Sequence, residues 1–318
     1  MEGVVDHTLR KILTTIGGID VCVTEFIRIT DHLLPDKVFQ RFCPELSNQC
    51  RTPSGVPVRI QLLGGKPDPI AANAAKAASI GACAIDLNFG CPAKTVNKSD
   101  GGACLLKTPH RLYDIIKATR AQVPKHIPVT AKMRLGFEDR EHYLENALAA
   151  YEAGATEITV HARSKADGYR PPAYWDCLAE IQQAINIPVI ANGEIWSVAD
   201  FQRCKELSQC NDFMLGRGLL SCPDLALQIK AQQAGIDYQI MPWHEVACLL
   251  KTFFDTTTAL YSQKHIGNRV KQWLNYLRRE YPEAQVLFEQ IKRYKTKVEI
   301  DAAIDRCIIL GADYAQPA

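Results

Sequence analysis

No stretch of this 318-residue chain approaches the ~18 consecutive apolar residues that a membrane-spanning helix needs. The first residues, Met1-Glu2-Gly3-Val4-Val5-Asp6, lack the basic and apolar regions of an export signal. Charge of one sign is also missing: 37 Lys and Arg face 35 Asp and Glu, a formal net charge of +2, which excludes a highly basic nucleic-acid coat. Twelve cysteines are scattered so widely that the closest two, Cys204 and Cys210, lie six apart. That spacing excludes zinc-ribbon, iron–sulfur and thioredoxin-type CxxC patterns, so no metal is expected. A G-x-G-x-x-G dinucleotide fingerprint is absent as well. The expectation is a reduced, cytoplasmic, membrane-free globular protein, with nothing in the sequence demanding more than a monomer.

What is present is an alternation. Short β-branched or apolar runs occur at Val21–Phe26, Val58–Leu62, Ala84–Asn88, Val129–Arg134, Glu157–Ala162, Pro188–Asn192 and Asp212–Leu215. Helix-period segments separate them, among them Ala71–Ser79, Pro109–Ala121, His142–Ala153, Trp175–Ala184 and Val198–Leu207. Strands alternating with helices argue for a parallel sheet, and the lack of polar alternation suits strands covered on both faces. The Gly in Ile80–Ala82 and in Ala153–Ala155 stands where a helix C-cap needs a left-handed residue. Seven runs are visible where a closed (β/α)8 TIM barrel has eight. A helical pattern capped by Asp6 follows the first residues at once, so the barrel is expected to have a truncated first strand. The competing architecture is a doubly wound open sheet of seven strands.

After Gly235 the composition changes. From Trp243 to Ile308 there is no strand-like run and almost no glycine, which places the domain boundary at 238/239: a barrel over 1–238 and an all-α helical bundle over 239–318. Val270, Trp273, Leu274 and Leu277 recur at helical spacing, with Lys271, Asn275 and Arg278 on another face. Between Lys264 and Lys297 nine basic residues meet three acidic ones, a local net of +6, with Tyr276, Tyr281 and Tyr294 interleaved. Such a stretch is either a solvated face or a surface for nucleic acid.

In parallel barrels the chemistry sits at the C-terminal ends of the strands. Those ends carry Gln61, Asn88 to Cys91, Lys132 and Arg134, His161 and Arg163, Asn192-Gly193-Glu194 and Gly216-Arg217-Gly218. The last of these is the place for a phosphate-bearing group. Cys91, between Gly90 and Pro92, is a candidate proton donor, since an ordinary thiol is mostly protonated at neutral pH; the alternative is a structural cysteine in a turn. Lys132 has three readings: a Schiff-base lysine, a cation beside a flavin ring, or one half of an internal ion pair. His161 is either a cofactor contact or a hydrogen-bonded core histidine.

The set resembles the tRNA-dihydrouridine synthases. The resemblance is carried by Met1-Glu2-Gly3-Val4, Gln61-Leu62, Asp86-Leu87-Asn88-Phe89-Gly90-Cys91-Pro92, Gly101-Gly102-Ala103 with Leu105-Leu106, and Lys132-Met133-Arg134-Leu135-Gly136. It continues in His161-Ala162-Arg163, Ile190-Ala191-Asn192-Gly193-Glu194 and Met214-Leu215-Gly216-Arg217-Gly218, in family order across both domains. Thr24-Glu25-Phe26-Ile27-Arg28, Ile195-Trp196 and Lys271-Gln272-Trp273-Leu274 are similar to the bacterial C-type branch, which acts on the D-loop uridine at position 16. The resemblance implies an FMN-dependent barrel, a helical tRNA-binding domain and NADPH as reductant. It gives Met1, Gln61, Lys132, His161, Asn192, Gly193, Glu194, Gly216 and Arg217 to FMN, Cys91 to proton donation and Asn88 to the target uracil. Arg28, Tyr169, Lys271, Gln272, Arg278 and Lys292 become the expected tRNA contacts. One departure stands out: the family's first motif is an apolar strand ending Ala-Pro-Met-x-Gly, of which only Met1-Glu2-Gly3 is present. A chain starting here is expected to bind FMN weakly, and about seven further upstream residues to repair it.

Three other readings fit parts of this pattern. A dihydroorotate-dehydrogenase-like flavin barrel would reduce or oxidise a free pyrimidine but leaves the basic tail without a task. A Schiff-base lyase would use Lys132. An RNA-binding protein would keep the tail and dispense with the redox site.

Overall fold

The computed structural model describes residues 3–260 and 265–313. The chain forms a curled parallel sheet of (β/α) type, and its strands are β1 (Cys22–Val23), β2 (Ile27–Arg28), β3 (Val58–Leu63), β4 (Ile85–Asn88), β5 (Val129–Gly136), β6 (Ile158–Ser164), β7 (Val189–Asn192) and β8 (Asp212–Met214). Every pairing is parallel, with a helix on most crossovers. β1 and β2 both lie on the same side of β3, Cys22 opposite Val58 and Ile27 opposite Leu62. They are two halves of one stave, interrupted where Thr24 turns its hydroxyl to accept the Gln61 backbone N–H at 3.0 Å. The single run expected at Val21–Phe26 is therefore split, and its second half sits further along the chain. Among the described residues the ladder has seven staves and stays open between β8 and β1.

The strand sequences explain their own burial. All seven residues of β6 are buried, and Met133, Val160 and Ile60 have no exposed surface at all, as expected for strands with helices outside and filled space inside. The two capping glycines take the positive φ their places require, +103° at Gly81 and +92° at Gly154.

The chain divides into two compact units. The first comprises Asp20–Ile195 and Ala199–Gly216; the second comprises Gly3–Ile19, Trp196–Val198 and the chain from Arg217 onward. The boundary expected at 238/239 falls inside the second unit. Helices Trp243–Leu260, Asn268–Leu277, Pro282–Ile291 and Lys297–Asp313 form the bulk of that unit. The helical stripe reads true: Val270, Trp273, Leu274 and Leu277 are all buried. Trp273 meets Phe253 edge-to-face at 5.3 Å and donates its indole N–H to the Leu220 carbonyl at 3.1 Å. The helix His7–Ile16, capped by Asp6 accepting from the Leu9 N–H, lays Leu9, Ile12 and Leu13 into the same core. Arg269 clasps the segment before it, donating to the Gly3 and Val4 carbonyls and pairing with Asp6 at 2.8 Å. No helix among the described residues is long and apolar enough to cross a membrane.

Candidate active site at the strand ends

Register alone brings the singled-out residues of the first unit together. Gln61 lies opposite Asp86, Asn88 opposite Lys132, Arg134 opposite His161, and His161 opposite Asn192. In parallel strands opposed residues share a face, so these side chains stack inside the curl in tiers. The deepest tier is an ion pair between Arg59 and Glu157. Above it lies a fully buried carboxylate, Asp86, whose Oδ1 accepts from the Thr130 hydroxyl at 2.6 Å.

From Asp86 a hydrogen-bond chain climbs toward the Cys91 loop. The Gly90 backbone N–H donates to Asn88 Oδ1 at 2.9 Å; Asn88 Nδ2 donates to Gln61 Oε1 at 2.7 Å; Gln61 Nε2 donates to Asp86 Oδ2 at 2.7 Å. A backbone N–H can only donate, so it fixes which end of the Asn88 amide is oxygen, and each following orientation is then forced. A second pair is fixed from the opposite sense. The Met214 carbonyl can only accept, so Asn192 gives it Nδ2 at 2.7 Å and turns Oδ1 to Lys132 Nζ at 2.9 Å.

Among the described residues Lys132 forms no ion pair, so the internal-pair reading of this lysine does not hold. Burial, and next the nearby Arg134 guanidinium, push its ammonium down to about 8, while Asp86 acts in the other direction. Burial pushes Asp86 up from the usual carboxylate range, against the hydrogen bonds from Thr130 and Gln61 and the charges of Arg59 and Lys132.

Cys91 is 8% exposed and packs among Phe26, Leu63 and Val96, with Ala93 alongside. Its carbonyl accepts from the Ala103 N–H and from Asn97 Nδ2, and Gly102, at φ +68°, takes a position where a Cβ would strike the Cys91 carbonyl at 2.8 Å. Arg134 anchors the other side of the loop, donating from Nε to the Gly90 carbonyl at 2.8 Å and from Nη1 to Ser164 and Gly168. Tyr169, exposed, carries its ring 5.4 Å from the Arg134 guanidinium and 6.1 Å from the His161 ring. His161 lies so close to the backbone of Gly193 that a Cβ there would come within 2.5 Å of Cδ2, a requirement only glycine meets. Glu194 also has positive φ, +57°, and accepts from Arg163 Nη1 at 3.0 Å. Arg163 is wholly buried, and its Nη2 finds no partner among the described residues. Such an atom calls for an acceptor, because an unmet buried donor costs about 1–3 kcal/mol.

Gln61, Asn88, Cys91, Lys132, His161, Asn192, Gly193 and Glu194 thus gather at the strand ends, and Gly216 closes the loop after β8 in the same unit. Arg28 is exposed on β2. Met1 lies outside the described residues. Arg217 begins the second unit, where its guanidinium lies 4.8 Å from the Trp196 ring. In the same unit Lys271 is partly buried and donates to the Tyr294 carbonyl at 2.8 Å, and Gln272 donates to the Gly3 carbonyl at 2.9 Å. Lys292 is exposed and pairs with Glu289. Arg278 borders a cavity of about 470 Å³ with Trp196, Ser221, Asn275, Tyr276, Arg279 and Gln285, Arg279 stacking 4.1 Å from the indole. Sequence reasoning missed Asp86 and Thr130 as parts of the site and Trp196 with Arg279 as parts of this cavity. The signal for Asp86 was available, because a strand puts residues two apart on one face and Asn88 had already been placed inside.

A parallel (β/α) sheet with polar side chains converging at its C-terminal edge defines an enzyme of the barrel class. The dihydrouridine synthase family model matches residues 1–312, and the chain belongs to that family. It is 54% identical to the tRNA-dihydrouridine(16) synthase of Pseudomonas putida over 92% of this chain and 91% of that protein. It is 48% identical to the protein of that name from Escherichia coli O157:H7, over 96% of this chain and 95% of that one. Among solved structures, 2-naphthoyl-CoA reductase in complex with 2-naphthoyl-CoA is similar in fold alone, at 13% identity and a TM-score of 0.55 over 84% of this chain and 52% of that one.

Proposed function

We propose that this chain reduces the C5–C6 double bond of the D-loop uridine at position 16 of tRNA, with FMN at the strand ends of the first unit and NADPH as reductant. The family membership supplies the reaction class. The observation that carries the residue assignment is the fixed chain from the Gly90 N–H through Asn88 and Gln61 to Asp86, with Cys91 on the very next loop position.

The residues present fit an aromatic ring rich in hydrogen-bond acceptors. Gln61, Asn88 and Lys132 each keep at least one N–H beyond those already used, and Arg163 Nη2 is a buried donor without a partner. Gln61, Lys132, His161, Asn192, Gly193, Glu194 and Gly216 would hold FMN, with Arg217 assigned to it by the family resemblance. Bound there, the flavin supplies the hydride that goes to C6 of the uracil. Lys132 sets a positive charge against the ring. Asn88 orients the uracil through its remaining amide hydrogen, and the surrounding burial excludes water. The Cys91 thiol gives its proton to C5; the resulting thiolate regains a proton from solvent. The target uridine has to leave its stack to reach this site. Exposed Arg28 and Tyr169, with Arg278 and Lys292 of the second unit, contact phosphates and bases of the tRNA, so binding weakens with salt. Lys271 and Gln272 each give one N–H to a carbonyl of their own unit and keep others for the tRNA. The protein works as a cytoplasmic monomer in this reading.

The test is mass mapping of an unmodified tRNA transcript incubated with the protein, FMN and NADPH. A gain of about 2 Da, two hydrogens per reduced ring, at uridine 16 is the expected result. A gain at another uridine moves the site of action. No gain with flavin visibly bound, together with turnover of a free pyrimidine, replaces the reading with the free-pyrimidine enzyme.

A further inference from the structure

Nothing in the family match or in the relatives' names gives Asp86 a task, yet the site's hydrogen bonds converge on it. Asn88 spends Oδ1 on the Gly90 N–H and one amide hydrogen on Gln61; Gln61 spends one of its hydrogens on Asp86. Each amide is left with one N–H for a ligand only because the chain ends on an acceptor. A donor at position 86 would invert Gln61 and set it against Asn88. Asp86 is also the acidic group that acts on Lys132. Arg59, the other cation facing Asp86, is committed to Glu157, and the remaining charge beside Lys132 is Arg134 on its own strand.

We propose that Asp86 is a positioning residue of the reduction: it fixes the polarity of the Gly90–Asn88–Gln61 chain, so that N–H groups face the bound rings, and as a carboxylate it favours the ammonium form of Lys132. The proposal rests on the flavin and uracil assignments above. It treats the carboxylate as a working part of the site, whereas a purely structural buried acid would change stability alone.

Asp86→Asn separates its two roles. Its Oδ1 can still accept from Gln61 while Nδ2 meets the Thr130 oxygen, so polarity survives and only the charge is lost. The experiment titrates apo-protein with FMN by fluorescence from pH 6 to 10 and measures kcat and KM on tRNA in parallel. In the unaltered protein FMN affinity is expected to fall as pH rises through about 8, the value to which burial brings the Lys132 ammonium. Asp86→Asn keeps the affinity at pH 6 within about twofold but moves the falling limb down by roughly one pH unit. Thr130→Val, which removes only the hydroxyl on Asp86 Oδ1, moves it the same way by less. Asp86→Ala abolishes the polarity as well and raises KM for tRNA about tenfold, with the circular dichroism unchanged. Limbs at the unaltered position in both Asp86→Asn and Thr130→Val overturn the proposal. An unaltered protein that neither binds FMN nor modifies tRNA overturns the functional reading beneath it.

Discussion

The two units bury opposite things. Inside the first, polar groups descend in tiers, Lys132 with Asn192, Gln61 with Asp86 and Thr130, then Arg59 with Glu157, nearly all of them mutually hydrogen-bonded. The core of the second is mainly apolar, built on Phe253, Phe254, Trp273 and Leu274, with Arg10 and Asp224 among its few buried charges. A buried polar chain is costly unless every member is satisfied, and in return it fixes orientations that apolar packing leaves free. An apolar core holds helices together and leaves the surface at liberty to match a large polyanion. In the proposed reading, chemistry and docking fall to different kinds of interior.

The sharpest attempt to break this division is Cys91→Ala. FMN and tRNA binding are expected to persist while single-turnover reduction falls by about 10²–10⁴-fold; full turnover would remove the thiol from the mechanism. Next in size, Trp273→Ala should cost about 3–5 kcal/mol, read by thermal unfolding. It should abolish tRNA binding by gel shift while flavin absorbance stays with the protein. Lys132→Met should divide stability from function. Because burial already disfavours its charge, unfolding by denaturant at pH 7 should show equal or greater stability, by up to about 3 kcal/mol. FMN affinity should nevertheless drop about tenfold or more. The smallest effect belongs to Arg278→Gln, expected to weaken tRNA binding about three- to fivefold and to reduce the slope of log K against log salt by about one. An unchanged slope would place the tRNA elsewhere.

Legibility in the sequence followed the same division. In the first unit every strand run but one corresponds to a single strand, because covered parallel strands leave an unmistakable apolar signature. The exception is the first stave, where Thr24 interrupts the ladder with a side chain that accepts a backbone hydrogen bond, a detail no periodicity encodes. Gln61, Asn88, Lys132, His161 and Asn192 were legible since strand ends are where barrels keep polar groups. Asp86 is less legible: it sits one strand-face step below Asn88, and its position alone does not show that the hydrogen bonds from Gln61 and Thr130 end on it. In the second unit the stripe around Trp273 was plain, but position on a basic helix does not say which side chains stay free. Lys271 and Gln272 read as surface groups, yet the chain folds its own carbonyls onto both. The helix His7–Ile16 was legible, whereas its membership in the second unit comes from partners far away in sequence, the core around Leu9, Ile12 and Leu13 and the pairing of Asp6 with Arg269.

That clasp has a consequence for the order of assembly. Residues 3–19 belong to a unit whose other members, Trp196–Val198 aside, start at residue 217, so most of the first unit lies between two stretches of the second along the chain. During synthesis the early helix emerges amphipathic and without its partners, and it must wait while the whole parallel sheet is made. Closing so long a loop costs about 5 kcal/mol of chain entropy from an open coil, but far less once the intervening sheet has folded and shortened the span. The first unit is therefore expected to fold first and to shorten the span between the helix His7–Ile16 and its later-made partners, which makes the second unit the last to be completed.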